Sequence, residues 1–134
     1  MQKWAWAYAV LFFLVVAIGY VPGFTYPDGS LLGLFSIQLV DDALHLGSAL
    51  WAALAAWRSA YASTLYFKLF GTVYMLDGIV GLIFGTAFLD GAIFMSGPAS
   101  LDFMTRLMTN LPHIVIGGTA VFLGFVVARR YAAS

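Results

Sequence analysis

Four stretches of this chain, residues 4–21, 39–57, 67–89 and 107–128, are almost uninterrupted apolar sequence, and they constrain the fold more than anything else in it. Each is long enough to cross the ~30 Å hydrocarbon core of a bilayer as a helix. Breakers and charges close them: Pro22-Gly23, Arg58, Asp90-Gly91 and Arg129-Arg130. None alternates as a barrel strand would, and in hydrocarbon a lone segment satisfies its backbone polar groups only as a helix. The expected fold class is all-α, an integral membrane four-helix bundle forming a single transmembrane domain over 1–134.

Composition points the same way. Only 9% of the 134 residues are charged, with no net charge and a mean hydropathy of +0.95. A soluble domain carries about 25% charged residues. The balance excludes a soluble enzyme, a disordered tail and a nucleic-acid binder, which needs a basic face. The chain has no Cys, so disulfides, thiolate metal sites and cysteine nucleophiles are excluded. A cleaved signal peptide is not expected, because no small-residue cleavage pattern follows the first run.

The basic residues set the orientation. Lys3, Arg58, Lys68, Arg129 and Arg130 fall on one side of a four-span arrangement, and Arg106 falls on the other. Asp28, Asp41, Asp42, Asp90 and Asp102 lie at or near the opposite side. The positive-inside rule then places both termini in the cytoplasm.

The chain also reads as two related halves. YAVLFFLVVAIGY from Tyr8 resembles YMLDGIVGLIFGT from Tyr74, and DDALHLGSALWAALAAWRSAYAS from Asp41 resembles TNLPHIVIGGTAVFLGFVVARRYAAS from Thr109. Each half is a helical hairpin of the same topology. Such parallel repeats are related by an axis along the membrane normal, which puts His45 and His113 at one depth in the outer half of the bilayer. Each histidine heads a stripe of small residues: Ser48, Ala52 and Ala56 in one case, Gly117, Ala120 and Gly124 in the other. Small residues let membrane helices approach closely, so both rings are expected to face the bundle.

The remaining polar residues complete a candidate intramembrane site. Asp41 and Asp42 precede His45, and Asn110 precedes His113, at spacings where a local partner can fix the imidazole tautomer. Asp77 falls near the midplane of the third run and should face the interior with a partner; Tyr74 shares its face. Arg106 is expected to pair with acids at the outer rim. No phosphate-cradling glycine loop and no nucleophile–base motif is readable, so the expectation is non-enzymatic, with no catalytic residue and no metal site assigned.

From Gly19, the segment GYVPGFT followed by LLGLFSIQLVDDALHLGSALWAALAAWRS, together with Asn110-Leu111-Pro112-His113, resembles the small bacterial tetraspan family catalogued as domain of unknown function 4383. The resemblance spans most of the chain. It implies a four-helix integral protein of the bacterial cytoplasmic (inner) membrane and no established activity.

Three functions stay open on the residues. One is a structural or accessory subunit whose polar groups lock the bundle, with the lipid bilayer, other membrane subunits or further copies as partners. Another is a binding module in which His45 and His113 ligate a haem b or other tetrapyrrole, with Arg106 at a propionate. The alternative is a proton-coupled small-solute transporter or permeation path using Asp77.

Overall fold

A computed structural model describes residues 1–19, 30–31, 35–36 and 39–132. The described chain is all-α apart from a ladder of two-residue strands, β1 (Ser30–Leu31) and β2 (Phe35–Ser36), paired antiparallel with Ser30 opposite Ser36. The helices are α1 (Gln2–Gly19), α2 (Leu39–Arg58), α3 (Ala60–Phe84), the short α4 (Ala92–Ser96) and α5 (Phe103–Phe122). Beyond α5 a π-helical turn (Leu123–Val127) leads into α6 (Ala128–Ala132).

Local chemistry moves three boundaries away from the apolar runs. The third helix starts at Ala60 and not near 67, because Ser59 caps it: its side chain accepts from the Ala62 N–H at 3.0 Å. Ser63, fully buried, donates from its hydroxyl to the carbonyls of Ser59 and Ala55, stitching α3 to the end of α2. The helix ends at Phe84 and not near 89, because Gly85 adopts a left-handed cap (φ 80°) that returns its N–H to Gly81. The fourth run begins earlier than 107, at Phe103, where Asp102 is the N-cap, and it continues through Pro112 to Ala132. Val21, the expected end of the first run, lies outside the described residues, as does most of the 22–38 loop.

Close approach of α3 and α5 organises the packing. A Cβ at Gly71 would meet the backbone of Ala120 and Val121 below 3.0 Å, and one at Gly78 would meet Ile114 at 2.8 Å. From the other helix, Gly117 faces the Met75 backbone and Gly124 the Lys68 backbone. Partners on α5 fall in number as those on α3 rise, so the two helices run antiparallel. α1 is antiparallel to α2 in the same way: Gln2 donates to the Ala56 carbonyl at one end, and Phe12 stacks on His45 nearer the other. Tyr8 joins the two pairs, donating its hydroxyl to the Ile116 carbonyl at 2.8 Å.

The core is built from alanines and rings. Ala5, Ala9, Ala49, Ala52, Ala56 and Ala120 are buried with Tyr8, Phe12, Tyr66, Phe67, Phe70 and Tyr74. Large aliphatic side chains face outward instead: Val10, Leu14, Leu50, Leu54, Leu69, Leu76 and Val115 are all exposed. Two helices, Ala60–Phe84 and Phe103–Ala132, are long and apolar enough to cross a membrane by length and composition. The 17 apolar residues of Gln2–Ile18 fall just short of that length.

Candidate functional site

Asp77 is 1% exposed and sits on α3 between Tyr74 and Gly78. Because α3 runs from Ala60 and stops at Phe84, Asp77 is seven residues from its C-terminal end and not at mid-helix. That places it ~10 Å from the C-terminal end of the helix.

Two backbone N–H groups and an imidazole nitrogen converge on its carboxyl. The backbone N–H groups of Phe88 and Leu89 donate to Oδ1 at 2.9 and 2.8 Å, and His113 Nδ1 lies 2.8 Å from Oδ2. The first two come from the segment that turns back after Gly85. The third comes from α5. Asp77 thereby ties the helix, its following segment and the neighbouring helix together. A buried carboxyl far from water requires partners of this kind.

His113 is half-buried, with 30% of its side chain exposed, so the pair reaches the molecular surface through the imidazole. Its expected local partner, Asn110, points elsewhere. Asn110 is buried, donates its amide to the Arg106 carbonyl at 2.8 Å and packs directly against Gly81, where any Cβ would collide with it.

Tyr74 brings the second histidine in. Its hydroxyl lies 3.3 Å from His45 Nε2, a hydrogen bond whose direction follows the imidazole tautomer, and its ring packs on His113 at 4.6 Å between centroids. His45 is also stacked on Phe12 at 5.8 Å. The two histidines, both half-buried, meet on the same tyrosine. Of the small-residue stripes, Ala52, Ala56, Gly117, Ala120 and Gly124 are buried, whereas Ser48 is only half-buried.

Asp42 is half-buried on α2, one turn before His45. Asp41 lies in the first turn of the same helix, and its side chain lies outside the described residues. Among the described residues, Arg106 pairs with backbone carbonyls and not with an acid. Its Nε, Nη1 and Nη2 donate to the carbonyls of Leu101, Ile83 and Ala99 at 3.0, 2.7 and 3.2 Å. Ile83 is in the last turn of α3, whose carbonyls lack intrahelical donors, so a guanidinium there has obvious acceptors.

Outside these segments, Asp102 takes the Thr105 N–H at 3.2 Å and the Thr105 hydroxyl. Those bonds hold its carboxyl below the usual carboxylate range.

The geometry does not favour iron held between the two histidines. Tyr74 stands between them, and a porphyrin there would have to displace it; Arg106 is committed to backbone carbonyls and not presented to a propionate. Among the described residues, no three His, Asp or Glu side chains gather as a metal-holding group. Tyr74 as the bridge and the backbone clasp from Phe88 and Leu89 are the features that sequence spacing did not supply. Comparison with protein-family models, curated proteins and solved structures finds no match for this chain.

Proposed function

We propose that this chain is a non-enzymatic structural or accessory subunit of the bacterial cytoplasmic membrane, a multi-pass four-helix bundle of two parallel helical hairpins with both termini inside. The observation that carries the role is the clasp on Asp77, buried and held by Phe88 N–H, Leu89 N–H and His113. A carboxyl fixed by three partners from two other segments acts as a lock on tertiary structure. The membrane assignment is supported by the inverted distribution of side chains, alanine inside and large aliphatics outside, which in water would present apolar patches far beyond those of soluble monomers. The tight α1–α2 and α3–α5 pairings support the two-hairpin reading.

A second reading draws on the half-exposed His113. It connects Asp77 to the surface, as a proton-coupled solute path would require.

One set of measurements separates them. The protein is expected in the membrane fraction, with a reporter fused at Ser134 active in the cytoplasm. Reconstituted into vesicles, it is expected to add no proton flux, and Asp77→Asn is expected to change stability alone. Flux that Asp77→Asn abolishes would install the transport reading. A reporter active only outside the cytoplasm would overturn the orientation.

A further inference from the structure

The end of the molecule where α1 begins and α6 finishes is a basic rim. Lys3 lies in the first turn of α1, Arg58 closes α2, and Arg129 and Arg130 fall in α6. Gln2 donates to the Ala56 carbonyl, and Lys3 and Tyr131 line one cleft of about 260 Å³, so the three helix ends meet there. All four cations are exposed, and none forms a salt bridge with an acid among the described residues. The acids of the described helices are remote. Asp42 stands ~25 Å from Arg58 along α2, and Asp77 ~25 Å from the start of α3; Asp102 caps the far end of α5. The chain has no net charge, yet its charges are separated end from end. Beside the cations stand exposed Trp4, Trp57, Tyr61 and Tyr131, rings of the kind that sit at the level of lipid headgroups.

We propose that this rim binds an anionic phospholipid of the adjoining leaflet, its phosphate held by Lys3, Arg129 and Arg130 and one acyl chain laid along α1. Basic clefts between helix ends on the cytoplasmic side suit such headgroups. Lys3 lines the cleft, and Arg129 and Arg130 lead directly into Tyr131 on its other wall. A guanidinium meets a phosphate through two parallel N–H bonds. A zwitterionic headgroup would bring a further cation to a rim that offers it no acid among the described residues. The acyl chain has a bed. Ala7, Val10 and Leu14 follow Lys3 at i+4, i+7 and i+11, which puts all four on one face of α1, and all four are exposed. Lys3 to Leu14 spans ~16 Å of helix, about one leaflet of a ~30 Å hydrocarbon core. The assignment rests on the membrane reading above, and not on the role given to Asp77.

The test places the full chain in phosphatidylcholine vesicles containing phosphatidylglycerol brominated in its acyl chains, a quencher of tryptophan. Quenching should set in at a lower lipid fraction than with brominated phosphatidylcholine. Trp4 lines the cleft, so Trp4→Phe should remove the larger part of that preferential quenching. Each cation near an anionic lipid contributes a factor of about five. Lys3→Gln should therefore raise the anionic fraction needed for half-quenching about fivefold, and Lys3→Arg should leave it unchanged. The triple variant Lys3→Gln, Arg129→Gln, Arg130→Gln should abolish the preference. Because these side chains are exposed, melting temperatures in neutral detergent should not change. If the triple variant does not fold, Lys3→Gln and Lys3→Arg carry the test. Equal quenching by the two lipids, or a preference that survives in the Gln variants, would overturn the proposal. So would a preference kept in Trp4→Phe and lost in Trp57→Phe, which would seat the lipid elsewhere on the rim. Loss of the preference to inorganic phosphate at constant ionic strength would assign the cations to a free anion and not to a lipid. Protein that does not float with the vesicles would defeat the membrane reading itself; protein that floats without preference defeats only this proposal.

Discussion

His113 Nδ1 lies 2.8 Å from Asp77 Oδ2, a contact between two helices that crosses 36 positions of chain. The same carboxyl takes two backbone N–H groups from the segment after α3 through its other oxygen. One side chain therefore determines both how α3 sits on α5 and how the chain leaves α3.

Removing that acceptor should be costly in proportion to what is left unpaired. Asp77→Ala abandons two backbone donors and the imidazole, and should destabilise by ~3 kcal/mol, the scale of breaking a buried pair on one side. Asp77→Asn retains an oxygen for Phe88 and Leu89 and offers its amide to His113, provided that ring accepts at Nδ1. It should cost ~1 kcal/mol. Thermal unfolding in one detergent gives the order wild type, Asn, Ala. Equal losses for Asn and Ala would mean that the backbone clasp contributes nothing.

The glycines of α5 should divide sharply. A Cβ at Gly117 would run into the Met75 backbone, whereas one at Gly118, the next residue, would meet nothing within 4 Å. Gly117→Ala must separate α3 from α5 and should destabilise by ~2 kcal/mol. Gly118→Ala gains helix propensity and should be neutral or stabilising by up to ~1 kcal/mol. Denaturant midpoints of the two variants make the comparison directly.

The start of α5 should loosen in acid. Hydrogen bonds from the Thr105 side chain and backbone lower the Asp102 carboxyl below its ordinary value. A folded value below the unfolded one means that the cap's contribution is present above the ordinary carboxylate range. It is lost as pH falls through the depressed value. Amide exchange at Thr105, followed with falling pH, should show this step. Asp102→Asn should keep a cap, because Asn is as good an acceptor there, and should remove the step.

Much of this was legible in the sequence where the periodicity of a helix does the work. The histidine faces followed from stripes of small residues, and Tyr74 sits three positions from Asp77 on one face. The helix bounds were less legible because hydropathy averages over caps. Residues 58–66 read as a polar interval, yet Ser59 and Ser63 are the hydrogen-bonding groups that start α3 inside it. The left-handed cap at Gly85 stops the helix early, which is why Asp77 lies nearer its C-terminal end than the apolar run implied. Arg106 was misplaced for a related reason: charge counting finds acids for it, but the open carbonyls at the end of α3 are its neighbours. The clasp on Asp77 depends on the turn at Gly85, and no local pattern around Phe88 or Leu89 announces it.

The two histidines should be coupled, and through Tyr74. His45 meets its hydroxyl and His113 its ring face, so each holds a different part of one side chain. Loss of either ring frees Tyr74 to shift and weakens the contact of the other. Stabilities of His45→Ala, His113→Ala and the double variant should then show an interaction energy of ~1 kcal/mol, within the range found for residues in one network. Tyr74→Phe keeps the ring on His113 and deletes the bond to His45. Repeating the cycle in that background should bring the coupling to within ~0.5 kcal/mol of zero, the level of independent sites. Coupling that survives in Tyr74→Phe would show that the histidines communicate by another route, such as a shared ligand, and the tyrosine would then be a neighbour and not the link.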